Sequence, residues 1–309
     1  MAKYILSRLG YMIFTFLLIA SLTFFLMQTL PGSPFNDERL SEAQERILNQ
    51  RYGLDEPVAV QYFKYLGNIM VGELGVSFQF DGRSVATIIG ERIGVSAILG
   101  AQAMGLGLVV GGLLGIIAAI RQNTLVDYSA MIAAVLGLSI PNFVFAGLLQ
   151  YWIGVRLQWL PVAFWDGFEY SILPTISLAA FVMATIARYM RSEMLEVLGQ
   201  DYITTAHAKG VDRWKVIRKH GIRNAMIPII TIIGPLTVSL MTGTLVVERI
   251  FSIPGLGEQF VNSILTNDYP VIMGVTLFFS LLFIVVIFIV DILYGIIDPR
   301  IRLSGGGKN

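Results

Sequence analysis

Few residues in this sequence have the types and spacing that chemistry requires. There is no cysteine, so neither a disulfide framework nor a thiolate metal site can form. The two histidines, His207 and His220, are too few for a histidine-rich metal site, and both lie in a cationic segment. No G-x-S-x-G nucleophile elbow, no H-E-x-x-H helix and no paired carboxylates within an apolar run occur. The glycine-rich tail GGGKN lacks the second-glycine spacing and the hydroxyl of a phosphate loop. The chain is therefore expected not to hydrolyse ATP by itself; catalytic residues, metal ligands and cofactor-binding residues on it are all read as none.

Charges inside apolar runs are equally sparse. Glu248 and Arg249 fall at the outer end of one such run and Asp291 near the inner end of another. Carriers driven by protons or sodium keep ionisable groups deep in their bundle, so this scarcity argues against a secondary transporter acting alone. The densest charge is elsewhere. In TTAHAKGVDRWKVIRKHGIRNAMIP, residues 204–228, the six cations Lys209, Arg213, Lys215, Arg218, Lys219 and Arg223 fall within 15 positions. Asp201 is placed to cap a short helix, YITTAHAK, which Gly210 ends in a left-handed turn. Asp212 is placed to cap a second, RWKVIRKH, which Gly221 ends. A solvated basic loop accounts for the charge but not for two capped helices, whereas a lipid-binding amphipathic helix or a docking element for a cytoplasmic partner accounts for both.

The elements that carry these residues are membrane spans. The chain is 55% hydrophobic and 14% charged, with a mean hydropathy of +0.70. Its apolar runs of about 20 residues match a hydrocarbon core about 30 Å thick. Six spans are predicted, near Leu9–Leu30, Val95–Ile120, Tyr128–Val155, Ile172–Met190, Met226–Val247 and Val271–Tyr294. Each must be helical, because a backbone in lipid finds no water to bond. The first run is longer than a signal-peptide core and no A-x-A site follows it, so it reads as an uncleaved span. With both termini inside, 14 of the 22 Lys and Arg face inward, and only Arg156 and Arg249 fall in or beside short outer loops. Trp152, Trp159 and Trp165 cluster near the outer end of the third span, as an interfacial belt would.

Between the first two spans, residues 31–94 carry nine acids against six bases and read as a small helical cap. Ser41 and Glu45 suggest one helix start, and Pro57 a second helix with a Tyr62, Tyr65, Ile69 stripe. Gly107, Gly111 and Gly115 form a four-residue repeat that favours close helix packing within the bundle over a dimer face. Pro141, in LSIPNFVFAG, should kink the third span beside the polar Ser139 and Asn142.

TTAHAKG followed by a basic helix resembles the cytoplasmic E-A-A-x-x-x-G loop of ABC importer permeases, the match falling on Thr204, Thr205, Ala206 and Gly210. Thr204 and Thr205 stand where that pattern has Glu and Ala, and Arg223 where many members have Pro. PGSPF, YGLDEPVAVQYFKYL, GELGVSFQF, RQNTLVDY and VVERIFSIPGLGEQFVNSILTNDYP are similar to the permeases of oligopeptide and dipeptide importers, in the same order. The resemblance implies an all-α, type I ABC importer permease. Its parts would be a span over 1–30, an extracytoplasmic helical loop over 31–92, a transmembrane core over 93–297 with a coupling loop at 191–225, and a cytoplasmic tail over 298–309. It implies half of a peptide pathway, beside a second, similar but non-identical permease. Two ATPase subunits would bind ATP and Mg²⁺ on the cytoplasmic face, and an extracytoplasmic binding protein would deliver peptide. No cofactor on this chain and no nucleic acid is implied, and the bacterial plasma membrane is the expected site.

In that frame Asp201, Thr204, Thr205, Ala206, Lys209 and Gly210 would form the ATPase-coupling helix. Ser139, Asn142, Thr242, Thr244 and Glu248 are candidate pathway-lining groups, each equally able to serve as a helix–helix hydrogen bond. Ile253–Gly257 should turn the chain before an amphipathic helix to Leu265. Nickel and oligosaccharide importers share this permease type, and a membrane scaffold with a basic binding loop is the reading furthest from transport.

Overall fold

Apolar side chains on nearly every face, with no partner for the backbone except itself, leave helix as the stable state of the long runs. The computed structural model describes residues 2–29, 46–47, 49–50, 52–80 and 82–297. Among them all regular structure is helical apart from one bridge between Val76 and Ser84. The helices are α1 (Ala2–Thr29), α2 (Val58–Met70), α3 (Val85–Ile120), α4 (Leu125–Ser139), α5 (Asn142–Leu149), α6 (Phe168–Leu198), α7 (Asp201–Ala208), α8 (Arg213–Val216), α9 (Arg223–Ile250), α10 (Leu256–Leu265) and α11 (Tyr269–Ile297). Two π-helical turns, Gln150–Arg156 and Ile217–Ile222, follow α5 and α8 directly. Among the described residues five helices are long and apolar enough to cross a membrane, and the bent pair Leu125–Ser139 and Asn142–Arg156, taken as one broken span, makes a sixth. The protein is a multi-pass membrane protein of the all-α class.

The spans differ from their sequence limits in three ways. The second starts at Val85, ten residues before the expected Val95, because Glu91 and Arg92 sit on an amphipathic helical end rather than in a loop. The fourth runs through Arg191, Glu193 and Glu196 to Leu198, with Met194 buried on its other face. The third is not one helix from Tyr128 to Val155: its two parts meet at 104°. Ile140, restricted by the following proline, is extended at φ −86° and ψ 121°. The Pro141 carbonyl then accepts from the amides of Val144 and Phe145 and starts α5. Ser41, Glu45 and PGSPF lie outside the described residues, as does the GGGKN tail.

The chain divides into two compact units. One takes the residues up to Gly94 together with Gly255–Phe288, the other Val95–Pro254 and the chain from Ile289. In the first unit α2 starts at Pro57 and lies against α1. Tyr62 and Tyr65 each place a ring 5.4 Å from Phe24, and the Tyr62 and Ser21 hydroxyls share a 2.6 Å hydrogen bond. Val85, Ile88 and Ile89 of α3 pack with Leu256, Val271 and Val275. Asp268, fully buried, accepts from the Ser77 hydroxyl and, at 3.1 Å, from the Phe78 amide, which ties the 71–84 loop to the start of α11.

The second unit is built around α6. Leu173, Leu178, Val182, Ile186 and Met190 meet residues of α3, α5 and α9 in one core. The glycine repeat of α3 faces α6. A Cβ on Gly111 would lie 2.6 Å from the Met183 carbonyl oxygen, and one on Gly115 would lie 2.5 Å from that of Ala187. One on Gly107 would collide with the Val182 side chain. The repeat therefore serves packing within the chain. From the other side Gly137 of α4 approaches Ala180 and Ala184. Trp152 and Trp159 are exposed, while Trp165 packs against the core.

Candidate functional site

The segment between α6 and α9 is built from short-range signals. Gly199 and Gln200 separate α6 from α7, and Gln200 takes an extended conformation at the cap position. Asp201 is thus the first residue inside α7 and not its cap; its side chain makes no capping bond, and its charge favours the helix dipole. Ile203 is buried, Ala206 half-buried, and Thr204, Thr205, His207, Ala208 and Lys209 are exposed. The Thr205 hydroxyl turns back to the Asp201 carbonyl at 3.0 Å.

The end of α7 is a Schellman turn. Gly210, at φ +75°, donates its amide to the His207 carbonyl at 2.9 Å, and the Val211 amide reaches the Ala206 carbonyl at 3.2 Å. Only glycine takes that backbone conformation without strain, so its placement as the terminator holds. Asp212 caps α8 as its spacing suggested, accepting from the amides of Trp214 at 2.9 Å and Lys215 at 3.2 Å.

The second terminator does not hold. Gly221 lies within the π turn that joins α8 to α9 without a break. It is buried, and a Cβ there would touch Met194 and Leu198 of α6 at 3.4 and 3.5 Å. Gly221 allows close approach to α6 instead of ending a helix. Val216 and Ile217 are buried beside it, while Arg213, Lys215, Arg218, Lys219 and a 69% exposed Trp214 face outward. Between the two pieces, Asn224 donates to the Tyr202 hydroxyl at 3.1 Å. The separate unit is thus a single eight-residue helix held by Ile203 and Tyr202, with Thr204, Thr205 and Ala208 exposed.

Four of the five pathway candidates have described side chains. Ser139 donates to the Val135 carbonyl and Thr244 to that of Met241, bonds internal to their own helices. Glu248 is fully buried and accepts from the Ser96 hydroxyl at 2.7 Å, across α3 and α9. Asn142 is half-buried at the start of α5, and the side chain of Thr242 lies outside the described ones, as does that of Asp291. A cavity of about 390 Å³ beside the Pro141 break is lined by Leu114, Ala130, Gly137, Ile140, Phe145 and Met183, among others, and by none of the four described candidates.

Sequence reasoning missed a buried bidentate ion pair of this unit. Arg191 of α6 grips Asp127 of α4 with both ends of its fork, Nε to Oδ1 at 2.5 Å and Nη2 to Oδ2 at 2.7 Å. The only local signal was an acid in the first turn of a helix after RQNT. Gln102, which donates no visible pattern either, accepts from the Thr175 hydroxyl at 2.9 Å.

A multi-pass helical chain, with one core built on α6 and an exposed capped helix between the fourth and fifth spans, has the makings of a transporter membrane subunit. Residues 111–303 match the family described as "binding-protein-dependent transport system inner membrane component", and residues 1–95 match the N-terminal region described for the same membrane components. The chain belongs to this family. It is 46% identical over 303 residues to the dipeptide transport system permease protein DppB of Lactococcus lactis subsp. cremoris, covering 98% of this chain and all of the relative. It is 47% identical over 308 residues to DppB of Bacillus subtilis, covering 99% of this chain and all of that protein. It is 41% identical over 305 residues to the oligopeptide transport system permease protein OppB of Haemophilus influenzae, covering 98% and all of it. A crystal structure of an amino acid ABC transporter superposes with a TM-score of 0.52 at 15% identity, over 70% of this chain and 94% of that one. That likeness bears on the fold and agrees with a type I permease.

Proposed function

We propose that this chain is the permease subunit of an ATP-driven peptide importer, one half of the membrane pathway, and that it is not an enzyme by itself. The relatives that match its whole length are named as dipeptide and oligopeptide transport permeases. The observation that carries the coupling role is α7: a short helix, capped by a left-handed Gly210, with its small residues turned outward. Thr204, Thr205, Ala206 and Lys209 form the surface on which a cytoplasmic ATPase closes, Asp201 begins it, and Gly210 fixes its end. The partners in this reading are a second, homologous permease, two ATPase subunits that bind ATP and Mg²⁺, and an extracytoplasmic peptide-binding protein. Both termini then share the cytoplasmic side with α7.

Energy enters by population shift. ATP closes the ATPase pair, and the closed pair has greater affinity for one arrangement of the permeases than for the other. A short docked helix transmits that preference as a rigid body. Substitution of Ala206 by Glu places a bulky charge on the docking face. In proteoliposomes holding all subunits, this variant should insert and assemble, yet lose ATP-dependent uptake of a labelled peptide. Wild-type uptake by Ala206→Glu, or peptide flux through the purified chain without ATPases, overturns the proposal.

A further inference from the structure

We infer that the Asp127–Arg191 ion pair is a positioning pair for coupling: it sets the axial register of α6, from which the docking helix hangs, against the α3–α4 turn. The inference rests on the reading of α7 as the docking helix. Asp127 is 1% exposed and Arg191 26% exposed, unlike the surface pairs Lys64–Glu56 and Arg83–Glu91. The Asp127 carboxylate also accepts the Asn123 amide at 2.9 Å, where Asn123 turns the chain at φ +60°. One carboxylate thus binds the turn after α3, the first turn of α4 and the side of α6.

Most of the rest of the α6 contact is of another kind: along α3 it is glycine against carbonyl and aliphatic groups at Met183, Ile186 and Ala187, and along α4 it is Gly137 against Ala180 and Ala184. A further polar tie, from Thr175 of α6 to Gln102 of α3 at 2.9 Å, lies toward the opposite end of α6. The glycine seam sets close approach by shape, through many weak contacts with no charged group among them. A bidentate guanidinium–carboxylate pair has one geometry and therefore one register. It lies at Arg191, and only the last turns of α6 and the link Gly199–Gln200 separate it from Asp201. A displacement delivered at α7 along the α6 axis runs through the last turns of α6 to this pair, which passes it to α3 and α4 together. Without the pair, the inner end of α6 loses its charged tie to both helices and transmits less of the displacement.

The test uses the whole transporter in proteoliposomes, with peptides moved per ATP hydrolysed as the readout and assembly and melting temperature measured alongside. Asp127→Asn should lower the ratio by about two- to thirtyfold, the range that coupling-network substitutions span. Arg191→Lys, which keeps the charge but loses the fork, should lower the ratio with the melting temperature little changed. Exchanging the two as Asp127→Arg with Arg191→Asp should recover part of it. An assembled Asp127→Asn complex with the wild-type ratio overturns the inference. Should Asp127→Asn fail to assemble, an Arg191→Lys complex with the wild-type ratio does the same. A wild-type complex whose ATP hydrolysis moves no peptide overturns the functional reading instead.

Discussion

Substitution of Gly210 isolates backbone conformation from everything else at the docking helix. Its φ is +75°, and no atom lies within 4 Å of where a Cβ would stand. A side chain there meets no steric conflict with neighbours, and the whole cost is that of the left-handed region, about 1–2 kcal/mol for an ordinary L residue. Asparagine tolerates this region better than alanine, and β-branched valine worst. An eight-residue helix is too short to persist alone in water. Its folded fraction depends on the Schellman turn, with Gly210 to His207 at 2.9 Å and Val211 to Ala206 at 3.2 Å, and on Ile203. A loss of 1–2 kcal/mol lowers a folded-to-unfolded ratio by roughly 5- to 30-fold. A partner that binds only the folded form loses affinity by up to the same factor. Peptide uptake and ATP hydrolysis in the reconstituted complex should therefore fall out of step in the order asparagine, alanine, valine, with membrane insertion unchanged throughout. Full coupling in Gly210→Val, or an asparagine variant as impaired as valine, refutes the reasoning.

Gly111→Leu drives a side chain into the Met183 carbonyl and Ile186, which lie 2.6 and 3.0 Å from the first added carbon; overpacking of this kind costs about 1–3 kcal/mol. The purified protein in detergent should melt at lower temperature, and an unchanged melting point would show that the seam is loose. Asp268→Ala leaves the buried Ser77 hydroxyl and the Phe78 amide without their acceptor, at about 1–3 kcal/mol for each unsatisfied group. Protease should then cut the 71–84 loop faster than in the wild type, and equal cleavage rates would remove Asp268 from its anchoring role.

Much of this architecture is written in the chain at short range. Six apolar runs can only be helices in lipid, Gly107–Gly115 reads as a packing row, and Pro57, Gly210 and Asp212 each mark an element end by local chemistry. What escaped reading depends on partners distant in sequence. Arg191, Glu193 and Glu196 look like a loop until Met194 on the opposite face is seen to be buried. Gly221 looks like a stop because glycine serves both to end helices and to let them touch, and only Met194 and Leu198 decide which. Asp127 and Arg191 are 64 positions apart, and no local periodicity links them. Ser139, Thr244 and Glu248 show the same limit: a polar residue in a span announces a hydrogen bond, not whether the acceptor is a neighbour's backbone or a solute.

The unbroken passage from α8 through the π turn into α9 gives the chain a lever. From Arg213 to the residue before Pro228 there is no proline, and about 15 residues at 1.5 Å each make an arm of roughly 22 Å. Pro228 and Pro235 lack the amide that would bond one turn back, so compliance begins there, inside the span. A tilt of about 10° about Pro228 would sweep the Arg213 end by roughly 4 Å, and the reverse also holds. Any bend of the fifth span thus has its pivot within the apolar run, and the arm beyond it carries the basic residues while its buried face, Val216, Ile217 and Gly221, rests on the last turns of α6.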